Sequence, residues 1–591
     1  MELNCAHLLI LGLGDTGLAM AAWARRQGAA AIRVWDSREA PPQLAALNEQ
    51  VPDATFFSGE LQAADAEGLR AVLKSPGLSP LDARLQPLLS RARELGLPLL
   101  GELDLFAQAL NALKAERRYA PIVLAITGTN GKTTTTSLTG QLVERCGRRV
   151  AVAGNIGPSM LTTLAAALEL EPMPVAEAPV VAAAIEAIEA AEAAEAPAST
   201  GEIAEQAEQA EPVEAATAPA EPELTTLQEI EALLDEAPLP IKPPPPKGPV
   251  FEHLPEAWVL ELSSFQLEGV EGFEPTAATV LNITQDHLDW HGDMAAYSRA
   301  KGRVFGAEAI MVINRDDAAV EALVPTPVMV SPGRGRRKIE QGRRVVRFGL
   351  DAPKRPGDYG LVNEGGMAWL VRALESDPTI KRKADDDEEE IVVQRLMPAD
   401  ALRIRGRHNA ANALAALALC TAAELPLAPM LHGLREYRGE PHRVQHIGSL
   451  DGVDFYDDSK GTNVGATVAA LSGLGADRAP SRLVVILGGD GKGQDFSPLR
   501  LPLIQNARAV ALIGRDASAI ESVLTDSGLN VQRHETLEAA TQWCFAQAHA
   551  GDSVLLSPAC ASLDMFRNYA HRAEVFVAAA EALAAEKGAT L

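Results

Sequence analysis

Thr127-Gly128-Thr129-Asn130-Gly131-Lys132-Thr133-Thr134 decides how the rest of the chain reads. It follows Ile122-Val123-Leu124-Ala125-Ile126, a short apolar run with the character of a buried strand. Behind it, Thr135 to Cys146 reads as a helix. Strand, glycine turn, Lys-Thr pair and helix together describe a phosphate cradle. Glycines let backbone N–H groups approach phosphate oxygens, and a helix N-terminus adds its positive dipole end. In such a loop Lys132 supplies a point charge and Thr133 a hydroxyl for Mg²⁺. The usual pattern places a glycine where this chain has Ile126, so the loop is a shortened one. The plainer alternative is an ordinary strand–helix turn that contains Lys-Thr.

Working outward, a second glycine turn lies near the N-terminus. His7 to Leu11 reads as a strand, Gly12-Leu13-Gly14-Asp15-Thr16-Gly17 as the turn, and Leu18 to Gln27 as a helix. Ile32 to Trp35 is the next strand and ends at Asp36, an acidic residue suitably placed for a ribose hydroxyl. This pattern suggests a nucleotide without naming it. A third turn, Lys74-Ser75-Pro76-Gly77, follows Ala71-Val72-Leu73, and for Ser75–Gly77 taken alone tight packing is the preferred reading.

Downstream of the phosphate loop, Ala151 to Gly157 contains Asn155, after which the composition changes. Residues 169–240 hold 18 Asp and Glu and no Lys or Arg, and removing them takes the net charge of the 591-residue chain from −26 to −8. The acidity belongs to this Ala/Glu/Pro-rich segment, which reads as a solvated, loosely helical or disordered insertion over about 169–247. Lys381 to Glu390 reads as a smaller solvated loop. Neither is basic, so nucleic acid is not expected as a partner. No apolar run reaches the roughly 20 residues of a membrane span, and no signal peptide is expected. The five cysteines are scattered without paired spacing, as in a reducing compartment.

The pattern resumes at Trp258 to Leu262, a strand carrying Glu261 near its end, where a phosphate site needs a metal-holding carboxylate. A solvated strand-end Glu is the alternative. Ala278 to Asn282 forms the next strand and leads to Asp286-His287. His287 reads as a metal or substrate ligand or, as a lone histidine more often is, as a surface or packed residue. Lys301 lies on a helix with Tyr297, where lysines are usually solvated. In the last third, three strands run into polar turns: Phe455-Tyr456 into Asp457–Lys460, Leu483–Leu487 into Gly488–Lys492, and Val554–Leu556 into Ser557–Ser562. In open α/β sheets ligands bind beyond the carboxyl ends of the strands, so these turns imply a ligand site.

Several of these stretches occur together, in order, in one known family. Thr127–Thr134, Leu260-Glu261-Leu262-Ser263-Ser264-Phe265-Gln266-Leu267, Asn282–His287 and Tyr297–Lys301 resemble the ATP-dependent Mur ligases. Asp458-Ser459-Lys460-Gly461-Thr462-Asn463, Gly488–Lys492 and Ser557–Asp564 are similar to the branch that adds D-glutamate. The Asp-Asn-Pro-Arg motif of the diaminopimelate-adding branch is absent. Gly461 and Ala573 depart from the pattern, which has alanine and glycine there.

The resemblance implies an α/β protein of three domains. These are a Rossmann-like UDP-binding domain over 1–99, a P-loop ATPase-type domain over 100–437 with the insertion, and a Rossmann-like domain over 438–591 for the incoming amino acid. It implies a cytoplasmic, monomeric enzyme that joins D-glutamate to UDP-MurNAc-L-Ala through an acyl phosphate, in peptidoglycan precursor synthesis. Gly128–Thr134, Asn409, Asn412, Arg443, Asp458 and Lys460 match ATP contacts. Asp15, Thr16, Asp36, Ser37, Ser75, Gly77, Asn155 and His287 match UDP-substrate contacts. Thr462, Lys492, Ser562, Leu563 and Phe566 match the D-glutamate pocket. Lys132, Glu261, His287 and Lys301 match the catalytic set. Two Mg²⁺ ions are implied, one at Thr133 and Glu261 and one at His287 and a carbamylated Lys301. The rival readings are another amide ligase of the Mur/folylpolyglutamate superfamily, an NAD-dependent oxidoreductase built on Gly12–Gly17, and a scaffold centred on the acidic insertion.

Overall fold

The computed structural model describes residues 3–172, 249–330, 339–376, 391–478 and 480–591. Nearly all of the acidic insertion and the whole of Lys381–Glu390 lie outside these residues. The described chain is an α/β protein with three main sheets.

The first sheet is wholly parallel, in the order Thr55–Phe57, Ala31–Trp35, His7–Leu11, Ala71–Lys74, Leu99–Leu100. Its order reverses between His7–Leu11 and Ala71–Lys74, which opens a crevice at their carboxyl ends. The helix after the first glycine turn is Asp15–Arg26, three residues earlier than expected at its start. Gly17 is therefore helical, and a Cβ there would lie 2.0 Å from the Gly12 carbonyl oxygen. Only glycine lets the helix start so close to the strand. Ser75 Oγ donates to that same carbonyl at 3.0 Å, so Ser75 closes the packing of the turn.

The second sheet is also parallel, in the order Val345–Phe348, Ile310–Asn314, Ala277–Val280, Ile122–Thr127, Ala257–Glu261, Val150–Gly154. Its central strands are buried on both faces, which explains why they read as continuous apolar runs. The helix behind the phosphate loop is Lys132–Arg145, so Lys132 and Thr133 stand in its first turn. Its β-branched Thr133–Thr136 run disfavours helix locally. Packing overrides that preference: the helix lies against the sheet and against Arg407–Ala422, an Ala- and Leu-rich helix buried on nearly every side. A three-stranded antiparallel sheet of Tyr359–Glu364, Met367–Glu375 and Ile391–Pro398 flanks this unit.

The third sheet runs Gln445–Leu450, Val453–Asp457, Ser553–Leu556, Leu483–Gly488, Ala507–Ile513, Asn530–Arg533. Only the first strand is antiparallel to its neighbour. The returning strand Ser553–Leu556 enters between two earlier ones, so the turns after residues 457, 488 and 556 end on one edge of the sheet.

Candidate active site

The phosphate loop is tied down from several sides. Asn130 N–H donates to Asn282 Oδ1 at 2.8 Å, and Asn282 Nδ2 returns a bond to the Asn130 carbonyl at 3.0 Å. Thr129 Oγ1 meets Tyr297 Oη at 3.1 Å and donates to the Thr284 carbonyl at 3.1 Å. Asn463 and Arg443 reach the loop from the last third of the chain. Asn463 Nδ2 donates to Asn130 Oδ1 at 3.1 Å, and Arg443 Nη2 donates to Thr133 Oγ1 at 2.5 Å.

Two lysines converge on one carbonyl. Lys132 Nζ donates to the Gly128 and Thr129 carbonyls, each at 2.9 Å, and Lys301 Nζ donates to the Gly128 carbonyl at 2.8 Å. Lys301 is 1% exposed, contrary to the solvated lysine that helices usually carry. Burial and the charge of Lys132 hold its amine well below the ordinary lysine value, against the pull of Asp286 and Glu261. Burial lowers Lys132 as well, with Glu261 opposing.

Glu261 is 1% exposed at the end of its strand. Its Oε1 accepts from Asn155 Nδ2 at 2.8 Å, while Oε2 is buried without a hydrogen-bond partner. Asn155 can come this close because of Gly154, which has φ +117 and where a Cβ would stand 2.3 Å from the Glu261 carbonyl oxygen. His287 has φ 53, sits edge-on to Phe265 at 4.7 Å and lies 3.5 Å from Asp286. Burial lowers its imidazole from the ordinary value; Asp286 opposes this, and the charges of Lys492, Lys132 and Lys301 add to it. The structure thus brings Lys132, Glu261, His287 and Lys301 into one electrostatic neighbourhood, with Lys492 bearing on it from the third sheet.

Buried unpartnered carboxylate oxygens are uncommon, and Glu261 Oε2 fits a bound cation. Thr133 Oγ1 and Glu261 supply oxygen donors. As a free amine Lys301 supplies none, and among the described residues no group of three His, Cys, Asp or Glu side chains could hold a metal. A carbamate on Lys301 would add the missing oxygens, so the donor set fits the expected metals on that condition.

A cavity of about 240 Å³ adjoins the loop. It is lined by Asn130, Gly131 and Thr134, and by Asn409, Asn412, Arg443 and Asp458. Burial pushes the Asp458 carboxyl up to about 7, although Ser557 Oγ donates to it at 2.6 Å. Lys460 is not part of the lining; its Nζ stands 4.0 Å over the Tyr569 ring. The lining also includes Asn282, Asn314, Phe348 and His408, to which no role was attached from sequence. Their signal is weak: isolated side chains at strand ends or beside the Asn409 motif, far apart in the chain.

In the first sheet, Asp36 is already engaged. Its Oδ2 accepts from Leu13 N–H at 2.8 Å and Arg38 grips both oxygens at 2.9 Å. Burial works against its charge, but these partners hold the carboxyl at about 2. Asp15 accepts from Gln43 at 2.6 Å, Thr16 is half-buried in the first helical turn, and Ser37 and Gly77 are exposed. In the third sheet, Ser562 is buried, Thr462 and Phe566 are half-buried, and Lys492 and Leu563 are exposed.

Three family models account for most of the chain: the MurD-like N-terminal domain of Mur ligases at 6–101, the Mur ligase middle domain at 126–191 and 251–420, and the Mur ligase glutamate ligase domain at 442–560. The chain belongs to the Mur ligase family. It is therefore a ligase, and it is 51% identical to the UDP-N-acetylmuramoylalanine–D-glutamate ligase of Albidiferax ferrireducens over 99% of this chain and 97% of that one. Against the ligase of the same description from Burkholderia mallei it is 50% identical, over 99% and 98%. Among solved structures, the UDP-N-acetylmuramate–alanine ligase of Thermotoga maritima matches at 17% identity and a TM-score of 0.48, covering 98% of this chain and 99% of that one. Near-complete coverage in both directions means the sequence relatives are similar in length to this Mur ligase. The length of the insertion therefore does not set the chain apart from them. The middle-domain model skips 192–250, within and just past the insertion.

Proposed function

We propose that this Mur ligase joins D-glutamate to UDP-N-acetylmuramoyl-L-alanine at the expense of ATP, in cytoplasmic peptidoglycan precursor synthesis. The observation that carries this reading is the 51% identity, spanning 99% of the chain, to a relative described as performing that addition. The site's chemistry supports it. A carboxylate is a poor electrophile, and phosphorylation gives it a leaving group. The substrate carboxylate attacks the γ-phosphorus of ATP, ADP leaves, and an acyl phosphate results. The amine of D-glutamate then attacks the acyl carbon and gives up a proton as the C–N bond forms, and the single bond from the acyl carbon to the phosphate oxygen breaks as phosphate leaves.

In this reading the loop 128–134 holds the phosphates, and Asn409, Asn412, Arg443, Asp458 and Lys460 hold the rest of the nucleotide. Lys132 offsets charge on the transferring phosphoryl group in a dry setting, where a fixed cation acts most strongly. Burial and the charge of Lys132 favour the neutral amine of Lys301, which is the form that attacks CO₂; the N–C bond forms, a proton is released, and a carbamate replaces a cation. Mg²⁺ bound at Thr133 and Glu261, with a second ion at His287 and the Lys301 carbamate, would supply Lewis-acid stabilisation of that phosphoryl group. Domain 1–99 presents the UDP-substrate through Asp15, Thr16, Asp36, Ser37, Ser75 and Gly77, with Asn155 and His287 at its reactive end. Domain 438–591 presents D-glutamate through Thr462, Lys492, Ser562, Leu563 and Phe566, and domain 100–437 carries out the transfer.

The test is phosphate release with ATP, Mg²⁺ and UDP-MurNAc-L-Ala, compared across D-Glu, L-Glu, D-Asp and L-Ala. Stimulation by D-Glu alone is expected. Stimulation by another amino acid in its place would move the chain to a different ligase of the superfamily.

A further inference from the structure

The turn Gly514-Arg515-Asp516, after the strand Ala507–Ile513, has no assigned role, yet it holds two turns that do. One is Gly489–Lys492. Arg515 Nη1 pairs with Asp490 Oδ2 at 3.1 Å, and Asp490 Oδ1 accepts from Lys492 N–H at 3.1 Å. Asp516 Oδ2 accepts from Gly491 N–H at 2.6 Å. Lys492 is kept at φ 51, a conformation that a residue with a Cβ occupies only when its surroundings impose it. The other is the Ser562 loop. Asp564 Oδ2 accepts from Arg515 N–H at 2.9 Å, and Asp490 exchanges backbone bonds with Ala561 at 2.9 and 3.0 Å.

The Arg515 side chain is 63% exposed, and an exposed ion pair adds little to stability. Its consequence is local. It fixes Asp490, and it cancels a negative charge two residues from Lys492.

We propose that Arg515 is a positioning residue for the amino-acid substrate: its side chain, through Asp490, sets the Lys492 turn, while the backbone bond from residue 515 to Asp564 keeps the Ser562 loop alongside whatever side chain stands there. This rests on the reading that Lys492 and Ser562 take D-glutamate. Without Arg515, Asp490 is left as an uncompensated anion beside a pocket for a dicarboxylate. Both the lost positioning and the added repulsion weaken the amino acid and leave the nucleotide and UDP-substrate sites alone.

The experiment is steady-state kinetics of the full chain with each of the three substrates titrated in turn, for wild type, Arg515→Met, Arg515→Lys and Asp490→Asn/Arg515→Met. Arg515→Met is expected to raise KM for D-glutamate about tenfold while KM for ATP and for UDP-MurNAc-L-Ala stays within about twofold. Arg515→Lys falls between wild type and Arg515→Met. The double variant recovers part of the loss, because it removes the uncompensated charge, a gain that a merely structural role would not give. An unchanged D-glutamate KM in Arg515→Met, or three KM values rising together, overturns the proposal. A wild type that turns over only with another amino acid overturns the D-glutamate reading; the positioning role is then decided by that amino acid's KM. A wild type inactive with every amino acid overturns both.

Discussion

The two glycine turns of this chain look alike in sequence and differ in how their polar groups are satisfied. Around Gly12–Gly17, Asp36 is matched by Leu13 N–H and Arg38, Asp15 by Gln43, and Ser75 by the Gly12 carbonyl. Around Thr127–Thr134, one buried and one half-buried lysine crowd one carbonyl, and Glu261 keeps an oxygen with no partner. A matched turn is rigid and costs nothing to leave as it is, which suits holding a substrate at a distance from the chemistry. An unmatched one is unstable alone and gains when ligands arrive, which suits a reaction centre.

The largest effect should come from breaking the unmatched side. Lys301→Ala is expected to lower turnover by about 10³-fold, with partial rescue by short-chain carboxylates, because in the proposed reading the variant loses the amine that would carry a metal-binding carbamate. Retained turnover without rescue would remove the carbamate from the account. UDP-substrate binding, measured by calorimetry without ATP, should be unchanged in this variant.

Glu261→Gln tests the same contrast through stability. Turnover should fall about 10²-fold. The thermal midpoint of the ligand-free variant should stay level or rise, since an amide is cheaper to bury than an unpartnered carboxylate. Asp36→Asn should do the reverse. It removes a charge held by an N–H and an arginine, so the first domain loses about 1–3 kcal/mol while turnover at saturating substrate changes little. Hydrogen exchange along His7–Leu11 would localise that loss. If both variants destabilise equally, the difference between the turns is not one of polar satisfaction.

What could be read ahead of the structure follows from how local each signal is. Lys132, Thr133 and Gly131 form one short segment with a fixed geometry, so their meeting was legible. Glu261 was legible as a strand end, but its orphaned oxygen was not, because that depends on Asn155 and Gly154 from a neighbouring strand. Lys301 is the sharpest failure of residue-level reading. A lysine on a helix suggests solvent, and only the packing of Tyr297 and the loop explains its burial. Asn282, Asn314, Phe348 and His408 carry no pattern at all, since the cavity they line is assembled from separate strand ends and helices. Helix starts at Asp15 and Lys132 came earlier than expected because glycine at 17 and 131 let each helix begin inside its turn.

The smallest expected effect is the one that separates matched from unmatched acids by pH. Asp36, held at about 2, lies below an unfolded value of about 4, so its contribution to stability is complete above that value and is lost as pH falls toward 2. Asp458, pushed up to about 7, lies above the same reference. Between about pH 4 and 7 the unfolded chain binds fewer protons at this site than the folded one, so stability falls as pH rises, and the penalty is complete above 7. The gap in unfolding midpoint between wild type and Asp36→Asn should therefore be widest above about pH 4 and close toward pH 2. For Asp458→Asn, the variant should gain on wild type as pH rises from about 5 to 8. Parallel pH profiles for the two variants would mean that the cavity beside the loop 128–134 satisfies its carboxylate as fully as the first turn does.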